Sequence, residues 1–183
     1  MPRLRVIRAT TALLLLALNS SPASQAEAAV PPAYQQVAAL YEIPGALFYA
    51  VALAESGKRI ESLEARRPWP WTLNIAGNGA YYETRWAAWQ ALDAALKTGE
   101  TRIDIGLMQV NWRYHQRRLK TPWLALEPGH NLNVGAAILK GCYRERRDWW
   151  ASVGCYHAPN DADRARQYRE RVARAWRNVT AED

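Results

Sequence analysis

An uncharged stretch from Ala46 to Ala54 constrains this chain more than any other feature of its sequence. Pro44 suits the first turn of a helix, where a proline loses no hydrogen bond. Gly57 suits a left-handed residue just past the helix end. Because a helix that is apolar on every face is usually buried inside a globular domain, we predict a central buried helix between Pro44 and Gly57.

Glu55 is the first strongly polar residue of this helix and falls in its last turn. A carboxylate is disfavoured near a helix C-terminus, and partial burial disfavours the charged form further. Both effects favour the protonated acid, which is the form that a general acid must hold near neutral pH. The simpler alternative is a glutamate at a helix end whose side chain reaches water.

Residues 1–28 have the pattern of a secretory signal. Three arginines near the start precede a short apolar run, and Ala26-Glu27-Ala28 forms an Ala-x-Ala cleavage site. The apolar run is too short to span a bilayer, and no later segment is apolar enough over a sufficient length. We therefore expect an exported, periplasmic protein with no stable membrane span, in which residues 29–183 form one domain.

The charge of the chain indicates the kind of partner it attracts. Removal of residues 1–28 takes three arginines and one glutamate from a chain of formal net charge +7, which leaves +5. A mildly basic exported protein is drawn to anionic polymers such as cell wall, membrane surfaces and nucleic acid. Because export argues against nucleic acid as the ordinary target, we expect no nucleic-acid partner.

Cys142 and Cys155 are the two cysteines of the chain. In an oxidising compartment, two cysteines close in sequence are most simply a disulfide. The alternative is a catalytic pair of Cys155 with His157, although no Asn or Asp nearby would activate it. The histidines lack the spacing of metal ligands, so we expect neither a metal nor a cofactor.

The remaining patterns predict a single, mainly α-helical domain with a small β-hairpin insertion. The hairpin spans Trp69 to Glu83, with a turn at Gly77-Asn78-Gly79. Trp69 and Trp71 at its base either stack on sugar rings or pack against the protein. Loops are expected at 59–67 and 153–159. Helices are expected at 32–42, 84–97, 131–147 and 161–179.

Three separated motifs together resemble those of the lytic transglycosylases with a goose-type-lysozyme-like domain. Glu55-Ser56-Gly57 ends the buried helix, Gly106-Leu107-Met108-Gln109 follows about fifty residues later, and Tyr156 lies near the end of the chain. The Asp104-x-Gly106 form of the second motif is most similar to specialised members that serve secretion and conjugation systems. The resemblance covers about residues 33–159 and implies a mainly α, α+β lysozyme-like fold.

The resemblance also implies the reaction and the residues that carry it. Glu55 would cleave the β-1,4 bond between N-acetylmuramic acid (MurNAc) and N-acetylglucosamine (GlcNAc) in peptidoglycan and form 1,6-anhydroMurNAc. Ser56 would hydrogen-bond near the acid, Gly106 with Met108 and Gln109 would line the sugar cleft, and Tyr156 would approach Glu55. The residues alone leave simpler roles open, namely core packing for Met108, turn bonding for Gln109 and helix capping for Ser56.

The chain departs from the family's usual Ala-Tyr-Asn-Ala-Gly at the late motif, where His157 and Pro159 replace Asn and Gly. The main alternative is a hydrolytic muramidase on the same fold, which needs a second carboxylate. Asp104 is the best candidate for it, although a structural role in a turn is the simpler expectation. A third reading is a wall-binding assembly factor without catalytic activity.

Overall fold

The computed structural model describes residues 30–181, and within them the chain forms eight α-helices, one short 3₁₀ segment and two antiparallel sheets. The helices are α1 Pro32–Leu40, α2 Gly45–Ser56, α3 Arg85–Lys97, α4 Trp112–Leu119, α5 Pro122–Ala125, α6 Pro128–Arg146, α7 Trp149–His157 and α8 Ala162–Ala181. The strands are β1 Gly57–Ile60, β2 Ala65–Pro68, β3 Thr72–Ile75, β4 Asn78–Tyr81, β5 Ile103–Ile105 and β6 Val110–Asn111. The prediction of a mainly helical domain is confirmed.

Helix α2 lies at the centre of the core, as predicted. Its residues Leu47 to Ala52 are buried, and it packs against α1 and α8. The predicted left-handed stop is wrong, because Gly57 has φ −60° and begins β1 directly. A Cβ at Gly57 would lie 2.4 Å from the carbonyl oxygen of Leu53. The glycine is therefore needed for close approach of the backbone, and not for a positive φ.

A short hairpin follows α2 where the sequence predicted a loop over residues 59–67. Strand β1 pairs with β2 from Gly57 opposite Pro68 to Ile60 opposite Ala65. Between the strands a 3₁₀ turn ends at Glu64, whose φ of 48° lets the chain reverse. Each strand carries two adjacent basic residues, Lys58-Arg59 and Arg66-Arg67, and neither has the apolar alternation by which a strand is recognised in a sequence.

The predicted hairpin is confirmed as β3 and β4. Its turn lies at Ala76 and Gly77, both at positive φ, and not at Gly77-Asn78-Gly79, because Asn78 and Gly79 already belong to β4. The hairpin is not a separate insertion, because β3 also pairs with β5, and β5 with β6. The resulting four-stranded sheet has the order β4-β3-β5-β6. It places Leu73 opposite Ile105, both fully buried, and so joins the hairpin to the segment that begins the Gly106 motif.

Trp69 and Trp71, at the entrance to this sheet, contact protein groups. Their rings pack edge to face with centroids 5.9 Å apart, and both are half-buried. The indole N–H of Trp69 donates to the carbonyl of Tyr82, and the Lys58 ammonium lies 4.2 Å from the centre of its ring. These contacts favour packing over sugar stacking for Trp69.

Helices α6, α7 and α8 pack against one another in chain order, and α8 also packs against α2. The predicted loop at 153–159 is wrong, because α7 extends to His157. Asp148 caps this helix by accepting a hydrogen bond from the Ala151 N–H. The predicted disulfide is confirmed, since Cys142 of α6 is bonded to Cys155 of α7.

The predicted secretory signal, residues 1–28, lies outside the described residues. Within residues 30–181, no single helix has both the length and the apolarity needed to cross a membrane. Helices α1 and α2 meet these requirements only as a pair, and they are bent by 115° relative to one another.

Replacing both cysteines by alanine should lower the free energy of unfolding by about 3 kcal/mol, because the disulfide closes a loop of this length in the unfolded chain. Urea denaturation of the native protein and the double variant measures the difference. A reductant should destabilise the native protein by a similar amount and leave the double variant unchanged. Equal stabilities of the oxidised protein and the variant would contradict the expectation.

Candidate active site

The carboxyl group of Glu55 lies at the end of α2 and is largely enclosed, with 9% of its side chain exposed. The hydroxyl of Tyr168 donates a hydrogen bond to its Oε1 over 2.6 Å. Nδ1 of His157 lies 3.8 Å from the same oxygen. Tyr168 of α8 therefore holds one oxygen of the carboxyl group, and the imidazole of His157 on α7 faces the same oxygen.

Tyr168 of α8 was not predicted as a site residue. It is 1% exposed, and its ring stacks on that of His157 with centroids 4.3 Å apart. The guanidinium of Arg171 lies 4.8 Å from its ring centre. Burial and, secondarily, the charge of Glu55 raise the pKa of Tyr168 well above its usual value, so the hydroxyl keeps its proton as a donor. A tyrosine on the buried face of a helix does not by itself indicate a donor to a buried acid, and no other feature of the sequence pointed to this role.

Tyr156 lies in the last turn of α7 and not in a loop. Its hydroxyl donates to the carbonyl oxygen of Met108 over 2.7 Å. Burial is the main cause of its raised pKa, and the charge of Glu55 adds to it. The predicted proximity of Tyr156 to Glu55 therefore appears as an electrostatic interaction, while the direct hydrogen bond to the carboxyl comes from Tyr168.

Ser56 is fully buried and joins two parts of the core. Its hydroxyl hydrogen-bonds to the carbonyl oxygen of Leu107 at 2.7 Å and lies 3.3 Å from that of Ala52. The side chain thus ties the end of α2 to the Gly106 motif, next to the acid in sequence. It has no exposed surface for contact with a ligand.

Asn131 of α6 organises the turn that begins at Gly106. Its Oδ1 accepts from the Met108 N–H at 2.9 Å, and its Nδ2 donates to the carbonyls of Ile105 at 2.9 Å and Ala125 at 3.0 Å. Gly106 has φ +78°, and a Cβ there would lie 2.6 Å from the Asn131 Nδ2. The motif needs glycine both for its backbone conformation and for room beside this amide.

Met108 and Gln109 are adjacent in the motif but differ in the exposure of their side chains. Met108 is fully buried, and its side chain lies so close to Gly135 that a Cβ there would approach within 2.6 Å. The side chain fills the core and leaves no surface to line a sugar cleft. Gln109 is half-buried at φ 43°, and its Nε2 donates to the carbonyls of Thr72 at 3.1 Å and Gly106 at 3.0 Å.

Asp104 lies on β5 and is enclosed more deeply than a solvated turn residue would be. Its carboxylate accepts from Nδ2 of Asn111 at 2.7 Å and from Nδ2 of Asn74 at 3.2 Å. Burial raises the pKa of Asp104, the Asn111 hydrogen bond opposes this rise, and the charge of Glu55 adds to it. The sheet therefore brings a second carboxyl group into electrostatic range of the acid.

The residues that the structure describes contain no group of three or more His, Cys, Asp or Glu side chains placed to hold a metal ion. The candidate site is built around Glu55 and the side chains that contact it. The arrangement can donate and accept a proton at one enclosed carboxyl group.

The fold and the site define a class of protein. A buried helix that ends in an enclosed glutamate, beside a small antiparallel sheet and a layer of helices, is an α+β lysozyme-like domain. The chain belongs to the transglycosylase SLT domain family, whose family model matches residues 32–177. Neither the curated proteins nor the solved structures contain a match to the chain.

Family membership bears on the substrate and on the type of enzyme. It supports lytic transglycosylase activity on peptidoglycan, a polymer that lies outside the cytoplasm. The disulfide between Cys142 and Cys155 fits the same location, since such bonds persist in oxidising compartments. The resemblance inferred from the separated motifs is thereby confirmed at the level of the family.

Replacing Asn131 by alanine should lower the free energy of unfolding by about 3 kcal/mol, because buried backbone groups lose their hydrogen-bond partners. Urea denaturation followed by circular dichroism measures this loss. Asn133→Ala is a matched control in α6, since its Nδ2 makes one exposed bond to the Gly129 carbonyl. Equal losses in the two variants would show that the buried amide does not hold the turn.

Proposed function

We propose that this chain is a periplasmic lytic transglycosylase that cleaves the bond between MurNAc and GlcNAc in peptidoglycan. The observation that supports this most directly is the enclosed carboxyl of Glu55, which the Tyr168 hydroxyl orients through a 2.6 Å hydrogen bond. An exported domain of residues 29–183, released from a signal of residues 1–28, is part of the proposal. So is a role in opening the wall for a secretion or conjugation apparatus, which the form of the Asp104-x-Gly106 motif supports.

The proposed reaction uses Glu55 twice. Its protonated carboxyl donates a proton to the glycosidic oxygen, the bond to C1 of MurNAc breaks, and GlcNAc leaves with a hydroxyl group. The N-acetyl group of MurNAc stabilises the cation at C1. The Glu55 carboxylate then removes the proton from the C6 hydroxyl, whose oxygen bonds to C1 and closes the 1,6-anhydro ring. No water is consumed, and Glu55 regains its proton.

Tyr168 has a positioning role in this scheme. Because its hydroxyl donates to Oε1, the proton that Glu55 gives up is assigned to Oε2. The same hydrogen bond becomes stronger when the carboxyl loses its proton, since bonds to ionised acceptors are shorter and stronger. Tyr168 therefore supports the state of Glu55 that exists between the two proton transfers.

A hydrolytic muramidase is the second candidate function, and Asp104 is the observation that favours it. Hydrolysis requires another carboxylate, as nucleophile or as the base that activates water. Asp104 is enclosed and interacts electrostatically with Glu55. Its carboxylate is engaged by two asparagine amides, however, and such bonding suits a structural role or a fixed negative charge equally well.

Mass spectrometry of digested peptidoglycan distinguishes these functions. The native protein should release anhydro-muropeptides, and Glu55→Gln should release none, because the amide cannot donate the proton. Glu145→Gln, at an exposed glutamate of α6, is the matched control and should keep full activity. Reducing-end products that disappear in Asp104→Asn would establish the muramidase instead. Wall binding without products would favour the assembly factor.

Replacing Tyr168 by phenylalanine should lower kcat about tenfold or more, the value of one hydrogen bond to a charged group. The ring and its stacking on His157 are retained, so the fold should be preserved. Initial rates of anhydro-muropeptide release measure the effect. Tyr114→Phe, at a tyrosine that is 76% exposed on α4, should have no effect. An unchanged kcat in Tyr168→Phe would remove this residue from the proposal.

A further inference from the structure

His157 is the last residue of α7 and stands where the resembling family usually has asparagine. Its Nδ1 lies 3.8 Å from Oε1 of Glu55, a distance within the range of an ion pair but beyond that of a hydrogen bond. Its ring lies parallel to that of Tyr168, within 3°. The position of the imidazole is therefore fixed by stacking, with one nitrogen directed toward the acid.

The titratable groups around His157 come from several elements. Glu55 faces it from α2, and Asp104 on β5 is close enough for the charge of His157 to lower the pKa of its carboxyl, against the larger effect of burial. Tyr168 covers one face of the ring, with Arg171 placed against Tyr168 itself. Two carboxyl groups therefore interact with one imidazole.

We propose that His157, in its protonated form, stabilises the carboxylate that Glu55 becomes when it donates its proton. This inference rests on the proposed function, because it assigns His157 a role in that reaction. His157 transfers no proton in this scheme and acts through Glu55, so it is a positioning and electrostatic residue. A fixed positive charge beside a group on which negative charge develops lowers the free energy of that state.

The charge of His157 affects the two proton transfers of Glu55 in opposite ways. An imidazolium beside Glu55 makes proton donation easier and the later removal of the C6 hydroxyl proton harder. An imidazole without its charge, at higher pH, no longer favours proton donation over proton removal. An asparagine at the same position supplies no charge at any pH. His157 therefore gives this chain a dependence of bond cleavage on pH that an asparagine would not produce.

The pH profile of kcat tests the proposal with two variants. His157→Asn removes both ring and charge, and His157→Phe keeps a ring that can stack on Tyr168 but carries no charge. In both variants we expect the alkaline limb to move to higher pH, because the positive charge that favours the Glu55 carboxylate is lost. We expect the maximal rate of cleavage to fall severalfold in both. Release of anhydro-muropeptides is the measurement.

A native profile in His157→Phe would overturn the proposal, because stacking alone would then account for the residue. Loss of activity only in His157→Asn would overturn it for the same reason. Thermal denaturation of both variants identifies any rate that falls through unfolding, and His157→Gln then replaces the unstable variant in the comparison. A shifted alkaline limb in the folded uncharged variants supports the proposal.

A second measurement does not require activity. The His157 ring signals are identified in the NMR spectrum as those missing from His157→Asn. The ring nitrogen shifts, which report whether the imidazole is protonated, are compared at one pH near neutrality in the native protein and in Glu55→Gln. Because an ion pair with the carboxylate stabilises the imidazolium, the ring should be more protonated in the native protein. Equal protonation in the two proteins would overturn the pairing. A protein that shows the difference but cleaves no peptidoglycan would keep the pairing and lose the proposed function.

Discussion

The burial of α2 is the constraint on which the rest of the structure depends. A helix without charge from Ala46 to Ala54 must be covered on all sides, and α1, α8 and the short β1–β2 hairpin pack against it. The polar end of the helix is then enclosed as well, because Ser56 and Gly57 are needed at close contacts. The burial of the apolar residues before Glu55 therefore places Glu55 inside the protein as well. Its position follows from the packing of the core.

Much of the fold could be predicted because its elements are local. Thr84 caps α3, a turn containing glycine joins the hairpin strands, and an apolar run forms α2, each within a few residues. Only the position of the turn differs, since it lies one residue earlier than predicted. The wrong predictions concern elements whose conformation depends on contacts with residues distant in the sequence. Strand β1 forms because β2 pairs with it, and α7 continues to His157 because α6 and α8 pack on both its sides. Neither partner can be recognised from the segment itself.

The site was predicted in part for a related reason. Glu55 was singled out as a candidate because its position in the helix is unusual for a carboxylate. Tyr168 is separated from it by 113 residues, and a tyrosine on a buried helix face has no signal that distinguishes a donor from a packing residue. Met108 was predicted as a site residue because it belongs to a recognisable motif, but its side chain lies wholly in the core. Motif membership marked the segment correctly but did not give the direction of each side chain.

The disulfide has a consequence for the motion of the site. Helix ends open locally more often than helix centres, and Tyr156 and His157 both lie in the final turn of α7. Cys155 precedes them directly and is bonded to Cys142, in the interior of a nineteen-residue helix. The turn that faces Glu55 is therefore restrained by a covalent bond as well as by packing. The cross-link, two residues before His157, therefore limits how far transient fraying could carry the imidazole from the carboxyl.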